Sequence, residues 1–217
     1  MFYTIYSNLY HFSIMDITHT LSVDSLSYTV ANKKILHAVY LAAITGDILI
    51  IKGRNGAGKS TLMKILFGII TPDFIHININ NKVITNKRHL NKYISYNPQL
   101  NFFPKHLKVK DVISAVEIEQ TSFAQKMNTK LDHLSSGEQQ FIQTLYVLNL
   151  PQPICLLDEP FAGISPLLQE FLAQVIKQKA KHKIILLTDH NADIVNTIVT
   201  KTLHLENGVL KEKSSNE

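Results

Sequence analysis

The stretch from Gly53 to Thr61 reads Gly-Arg-Asn-Gly-Ala-Gly-Lys-Ser-Thr. Gly53, four intervening residues, then Gly58, Lys59 and Ser60 match the phosphate-binding loop pattern at every position. Gly53, Gly56 and Gly58 let backbone N–H groups turn inward without Cβ clashes, and Arg54, Asn55 and Ala57 complete the loop. Such amides form a concave nest at a helix N-terminus, where the dipole favours anions. Lys59 adds a positive charge near the β- and γ-phosphates of a nucleotide, Ser60 offers a hydroxyl to Mg²⁺, and Thr61 reaches the α-phosphate side. A plain glycine-rich turn between strand and helix does not explain a lysine and a hydroxyl at these offsets.

A metal beside the phosphates calls for a carboxylate from a second element. The run Ile-Cys-Leu-Leu-Asp-Glu-Pro supplies Asp158 at the end of an apolar strand, the edge where ligands gather in open α/β sheets. Glu159, next along, is placed to accept a proton from an attacking water. An acidic pair at a strand end can also be a helix cap, but the phosphate loop favours the metal reading. Cys155 lies on the same strand and reads as core filler.

These side chains need a scaffold that brings residues 53–61 and 158–159 together. Ile48 to Gly53 is a short apolar run, as expected of a strand buried on both faces. Leu62, Ile65, Leu66 and Ile69 follow at helical spacing, and Thr71-Pro72-Asp73 is expected to end that helix. Residues 15–28 read as a first strand, and Phe74 to Ile84 as a hairpin turning at Asn80-Asn81. Residues 105–150 lose the strand signal and look helical. Two further apolar runs, Ile154–Asp158 and Ile184–Asp189, flank a helical stretch from Pro166 to Lys179. Strand, helix, strand in that order predicts a parallel sheet covered by helices.

Bulk properties agree. A chain of 217 residues with 45% hydrophobic residues can build one domain with a good core. The single cysteine excludes an internal disulfide framework. No apolar run reaches the ~18 residues of a membrane-spanning helix, so a soluble chain is expected, with docking on a membrane protein left open. The net charge of +5 is spread over mostly lysines and only two arginines, which favours a solvated surface over a nucleic-acid footprint. The first fourteen residues are aromatic and carry no Lys or Arg, unlike the basic start of a secretory signal. They are expected to be an extension outside the core or an upstream start that is not used.

Phosphate loops serve many functions. The deciding stretch is Leu134 to Gln140, Leu-Ser-Ser-Gly-Glu-Gln-Gln, whose Gly137 stands 21 residues before Asp158. Taken alone, Ser135-x-x-Glu138 is a common capping box. In this setting the chain resembles the ATP-binding cassette family, the motor subunits of ABC transporters, over about residues 16–210. The family signature is usually Leu-Ser-Gly-Gly-Gln or Glu; here Ser136 takes the third place.

The resemblance implies an α/β P-loop NTPase core, mainly parallel sheet flanked by helices, with an antiparallel β subdomain and a short helical subdomain over about 105–150. It implies ATP and Mg²⁺, two copies forming a homodimer, and Ser135 and Gly137 of one copy capping the γ-phosphate held by the other. Gln99 matches the glutamine that touches Mg²⁺ and the attacking water and faces the membrane partner. His190, 31 residues after Glu159, matches the switch histidine that contacts the γ-phosphate. Tyr28 matches the aromatic that stacks on adenine, although a core tyrosine reads nearly as well. The stretch Asp158 to Pro166 has the form seen in lipopolysaccharide-export and related cassettes, with Ser165 where aspartate is usual. Ser165 before Pro166 still predicts a good helix start. Only 34 residues separate Gln99 from Leu134, about fifteen fewer than is common, which implies a reduced lobe and a small or specialised partner surface.

The expected role is an ATPase subunit driving a separate transmembrane permease from the cytoplasmic face of the membrane, with no transmembrane segment of its own and no direct contact with nucleic acid. The alternative is a non-transport ATPase of the same family gating events on nucleic acid or the ribosome. A regulatory ATP binder without turnover is a third reading, against which Glu159 and His190 both speak.

Overall fold

The computed structural model describes residues 18–114, 118, 121–190 and 192–212; the expected extension over 1–14 lies outside them. Two sheets share the molecule. The smaller is antiparallel and contains β1 (Thr20–Val30), β2 (Lys33–Ile44), β4 (Phe74–Ile79) and β5 (Lys82–Val83), in the order β2-β1-β4-β5. Asn80 and Asn81, at φ 53° and 59°, make the two-residue turn between β4 and β5, which is the left-handed pair a tight hairpin requires.

The larger sheet contains β3 (Ile48–Lys52), β6 (Ile94–Asn97), β7 (Ile154–Asp158), β8 (Ile184–Thr188), β9 (Lys201–Glu206) and β10 (Val209–Glu212), in the order β10-β9-β3-β8-β7-β6. All neighbours are parallel except the β9–β10 hairpin. Its strands β3, β7 and β8 are apolar in all but the last residue because both faces are covered, and alternation along each strand sorts its side chains into two cores. Leu49, Ile51, Leu156 and Leu186 join the core shared with the antiparallel sheet and α1 (Lys59–Phe67). Ile50, Cys155, Leu157 and Leu187 face the other core, with α3 (Ser136–Asn149) and α4 (Pro166–Ala180).

Helix α1 buries Leu62, Met63, Ile65 and Leu66 completely or nearly so; at roughly 1.5–3 kcal/mol per buried side chain this anchors the phosphate loop at its N-terminus. The helix ends earlier than the sequence suggests. Gly68 takes a left-handed conformation (φ 90°) and its N–H closes on the Ile65 and Lys64 carbonyls, a glycine C-cap that acts before Thr71-Pro72-Asp73 is reached. The first strand begins at Thr20. Between residues 105 and 134 the expected helical character amounts, among the described residues, to the four-residue α2 (Val109–Val112), a helical Ile118 and 3₁₀ turns at Ser122–Lys126 and Leu131–His133. The last described helix is α5 (Ala192–Asn196).

Candidate nucleotide site

At the C-terminal edge of the parallel sheet lies a cleft of about 640 Å³. It is lined by Tyr28, Asn55, Gly56, Gly58, Lys59, Ser60, Thr61, Gln99, Glu159 and His190, together with Val30, Ile35 and Ile70. Residues far apart in the chain thus converge, and all but the three apolar ones are expected site residues. Gly58 sits at the N-cap of α1 in a left-handed conformation (φ 106°), a conformation that strains any residue with a Cβ. Gly53 and Arg54 lie behind the cleft lining: both carbonyls accept from the Lys59 ammonium, at 2.7 and 3.3 Å. Ala57 packs into the core beneath.

Asp158 sits below the cleft at 3% exposure. Its Oδ1 accepts from Ser60 Oγ at 3.2 Å and from Thr188 Oγ1 at 2.6 Å, and its Oδ2 from the Tyr96 hydroxyl at 3.3 Å. Burial, and then the neighbouring Asp158 carboxylate, push the Tyr96 phenol well above its ordinary pKa, so it remains a donor. Thr188 and Tyr96 escaped the sequence reading. The available signal for Thr188 was a hydroxyl closing an otherwise apolar strand, in register with Asp158; Tyr96 stands three residues before Gln99 on a buried strand.

Glu159 has φ 53°, a left-handed conformation that costs a non-glycine residue about 1–3 kcal/mol and collects at working sites. It is held there from both sides. Its N–H donates to Thr188 O at 2.9 Å and Thr188 Oγ1 at 3.2 Å, and its carbonyl accepts from Gln140 Nε2 at 3.3 Å. The backbone kink turns the carboxylate into the cleft, where Oε2 accepts from Gln99 Nε2 at 3.0 Å and Oε1 lies 3.4 Å from His190 Nε2.

These residues fit a nucleotide with its metal. Glycines, amides and one buried ammonium face the cleft where phosphates belong. The donors gathered beside them are a hydroxyl (Ser60), a carboxylate (Asp158) and an amide (Gln99), hard oxygen ligands of the kind Mg²⁺ prefers. Tyr28, Val30 and Ile35 form an apolar end of the same cleft, suited to a flat aromatic base.

Ser135 and Gly137 stand outside that lining, at the N-terminus of α3. The capping box forms as expected: Ser135 Oγ accepts from Glu138 N at 3.3 Å and Ser135 N donates to Glu138 Oε2 at 2.9 Å. The serine hydroxyl accepts here, which keeps its own hydrogen to donate outward. Partial burial opposes ionisation of Glu138, but the Lys126 ammonium and the Ser135 amide and hydroxyl outweigh it and hold the carboxyl below its ordinary range. Gly137 packs against Gly163 so closely that a Cβ would lie 1.9 Å from Gly163 O. Ser165 has N-cap dihedrals but no side-chain cap bond; Gln169 secures the turn instead, donating to Phe161 O and Ile164 O at 3.2 and 3.0 Å.

Comparison with known proteins places this arrangement. Residues 36–162 match the family model described as ABC transporter. The chain is 28% identical over 193 residues to the thiamine import ATP-binding protein ThiQ of Vibrio parahaemolyticus, covering 80% of this chain and 82% of that one. It is 24% identical over 205 residues to the ergothioneine transport ATP-binding protein EgtV of Helicobacter pylori, covering 85% and 96%. Among solved structures, an ATP-binding subunit of an ABC transporter superposes with a TM-score of 0.78 at 24% identity over 90% of each chain, which is a likeness of fold.

Proposed function

The chain belongs to the ABC transporter family as one of its ATP-hydrolysing subunits, and from that premise we propose that two copies clamp ATP and Mg²⁺ between the phosphate loop of one and Ser135 and Gly137 of the other, and so drive a separate permease. One observation carries this reading: the cleft collects the loop, Gln99, Glu159 and His190, whereas the second anion-binding helix end, capped and exposed at Ser135, lies elsewhere on the same chain. A single copy therefore offers each half of the site to a different neighbour, which favours a head-to-tail pair.

The phosphate-loop amides and Lys59 bind and orient the β- and γ-phosphates. Ser60, Asp158 and Gln99 would hold Mg²⁺, which would offset charge on the phosphate oxygens. Glu159 takes a proton from the attacking water at its carboxylate; Gln99 and His190, already at hydrogen-bond and ion-pair range of it, keep that carboxylate aimed. The neighbouring Ser135 hydroxyl, with the Gly137 amide, neutralises the γ-phosphate from the far side. Tyr28 stacks on the adenine.

The permease contact is assigned to the Gln99 loop and the segment 105–133, where Leu100 and Phe102 are exposed at 81% and 45%. No helix among the described residues is long and apolar enough to cross a membrane; the relatives named as transport ATP-binding proteins support a peripheral place beside a permease on the cytoplasmic face. A relative named for thiamine import and a motif of lipopolysaccharide-export form point in opposite directions of transport, so the direction is assigned to the permease. The experiment is Glu159→Gln with ATP binding and hydrolysis measured in parallel: binding is kept and turnover falls by about 10²–10⁴-fold. Hydrolysis at the normal rate refutes Glu159 as the base.

A further inference from the structure

Helix α3 does more than present Ser135 and Gly137. Two turns into it, Gln143 is fully buried among apolar neighbours, where leucine or methionine would fill the space. Its amide is instead spent wholly on the loop that carries Gln99. Nε2 donates to Asn97 Oδ1 at 2.8 Å, to Pro98 O at 3.0 Å and, more weakly, to Leu100 O at 3.5 Å; Oε1 accepts from Phe102 N at 3.0 Å. The contacts bracket Gln99 on both sides. The next residue on the helix extends the link: Thr144 Oγ1 accepts from Asn97 Nδ2 at 3.0 Å and donates to Gln140 O at 2.8 Å. Gln140 in turn holds the Glu159 carbonyl. One face of α3 thereby grips the loop bearing Gln99 and the backbone of Glu159 together.

We propose that Gln143 is a positioning residue for hydrolysis, locking the Gln99 loop to the helix that carries Ser135 and Gly137 so that both move as one body relative to the phosphate loop. The proposal rests on the roles given above to Gln99 and Glu159. Its physical basis is polar accounting. Loop carbonyls and amides that no strand or helix satisfies lose free energy when buried without partners, and this one amide side chain bonds three of them, Pro98 O, Leu100 O and Phe102 N, besides the Asn97 side chain. A fully satisfied buried network has one low-energy arrangement and so specifies one loop position. The cradle glycines lie in the loop before α1 and Lys59 is the first residue of that helix; the Lys59 ammonium bonds Gly53 O and Arg54 O rather than this network, so the lock acts on turnover and leaves nucleotide capture alone.

The test is Gln143→Met, similar in volume and without hydrogen bonds, measured beside wild type and Glu159→Gln. Affinity for a non-hydrolysable ATP analogue stays within about twofold, while kcat falls about tenfold or more, the scale that misplacement of a catalytic group by a fraction of an ångström to one ångström produces. Hydrogen exchange speeds up over residues 98–103 and is unchanged over 53–61. Wild-type kcat in Gln143→Met, beside an inactive Glu159→Gln, overturns the proposal; so does a loss of affinity in proportion to the loss of rate, or faster exchange throughout the chain, either of which marks a merely structural residue. If Gln143→Met does not fold, Thr144→Val carries the test by the same split in smaller measure, and wild-type kcat there overturns it. Normal hydrolysis by Glu159→Gln overturns the assignment of the base instead, and the two failures are thus told apart.

Discussion

Alanine at Gly137 puts two effects of opposite sign against each other. Gly137 lies in the first turn of α3, with no positive φ to preserve. On helix propensity alone, Gly137→Ala would stabilise the chain by up to about 1 kcal/mol. The packing says otherwise. A Cβ built there falls 1.9 Å from Gly163 O and 2.8 Å from Gly163 C, where separations under 3.0 Å do not occur. The two segments must part by at least 1.1 Å, the difference between 3.0 and 1.9. Both are backbone, so no rotamer change absorbs it. Overpacking of this kind costs about 1–3 kcal/mol, and a chain of this size loses roughly 2–4 °C of Tm per kcal/mol. Thermal unfolding of Gly137→Ala without nucleotide, where no partner copy is engaged, is therefore expected to show a Tm lower by about 2–12 °C. An unchanged or raised Tm refutes the packing argument. A lowered one means that loss of ATPase activity in this variant reports a displaced helix end as well as a methyl group set beside the residue 137 amide.

Lys59→Ala removes the buried ammonium of the cradle and is expected to weaken ATP binding roughly tenfold or more, given about 1.5–3 kcal/mol for a charged hydrogen bond; unchanged affinity in a titration undercuts the phosphate-loop assignment. Glu138 has a folded pKa below its ordinary value, so its contribution is present at neutral pH and is lost as pH falls through that lowered value. The stability gap between wild type and Glu138→Gln, about 1 kcal/mol for a helix cap, is expected in urea unfolding at pH 7 and is expected to close at acid pH; a gap that widens on acidification contradicts the sign. Burial pushes the Cys155 thiol up to about 11, and the side chain is inaccessible. The native protein is therefore expected to resist iodoacetamide at pH 8 and to react once unfolded, and rapid labelling of the folded chain counts against its place in the core.

What could be read from sequence was what is local. Phosphate-loop glycines, the apolar runs of β3, β7 and β8, and the Ser135–Glu138 box are each written in fewer than ten consecutive residues, and the periodicity of burial makes them visible. The Asn80-Asn81 turn was legible for the same reason. Thr188 and Tyr96 were not, because each acts on Asp158 across a sheet register that no short window contains. Gln143 was hidden more completely: at a position of helical core spacing, an amide reads as a mistake in the pattern until the loop it satisfies is seen. At one helix end a glycine overrode the proline signal, and at another the expected start formed with different bonds. Gly68 stopped α1 before the proline did, and Ser165 holds the N-cap conformation while Gln169 makes the bonds. The strain at Glu159 has no sequence signature at all, since it comes from Thr188 and Gln140 pulling on its backbone from two other elements.

The central claim is that the nucleotide is shared between two copies of the chain. Light scattering on Glu159→Gln, with ATP and Mg²⁺ present, measures this directly. The account predicts twice the mass of one chain with ATP and the mass of one chain without it. A variant that binds ATP fully and keeps the mass of a single chain contradicts it.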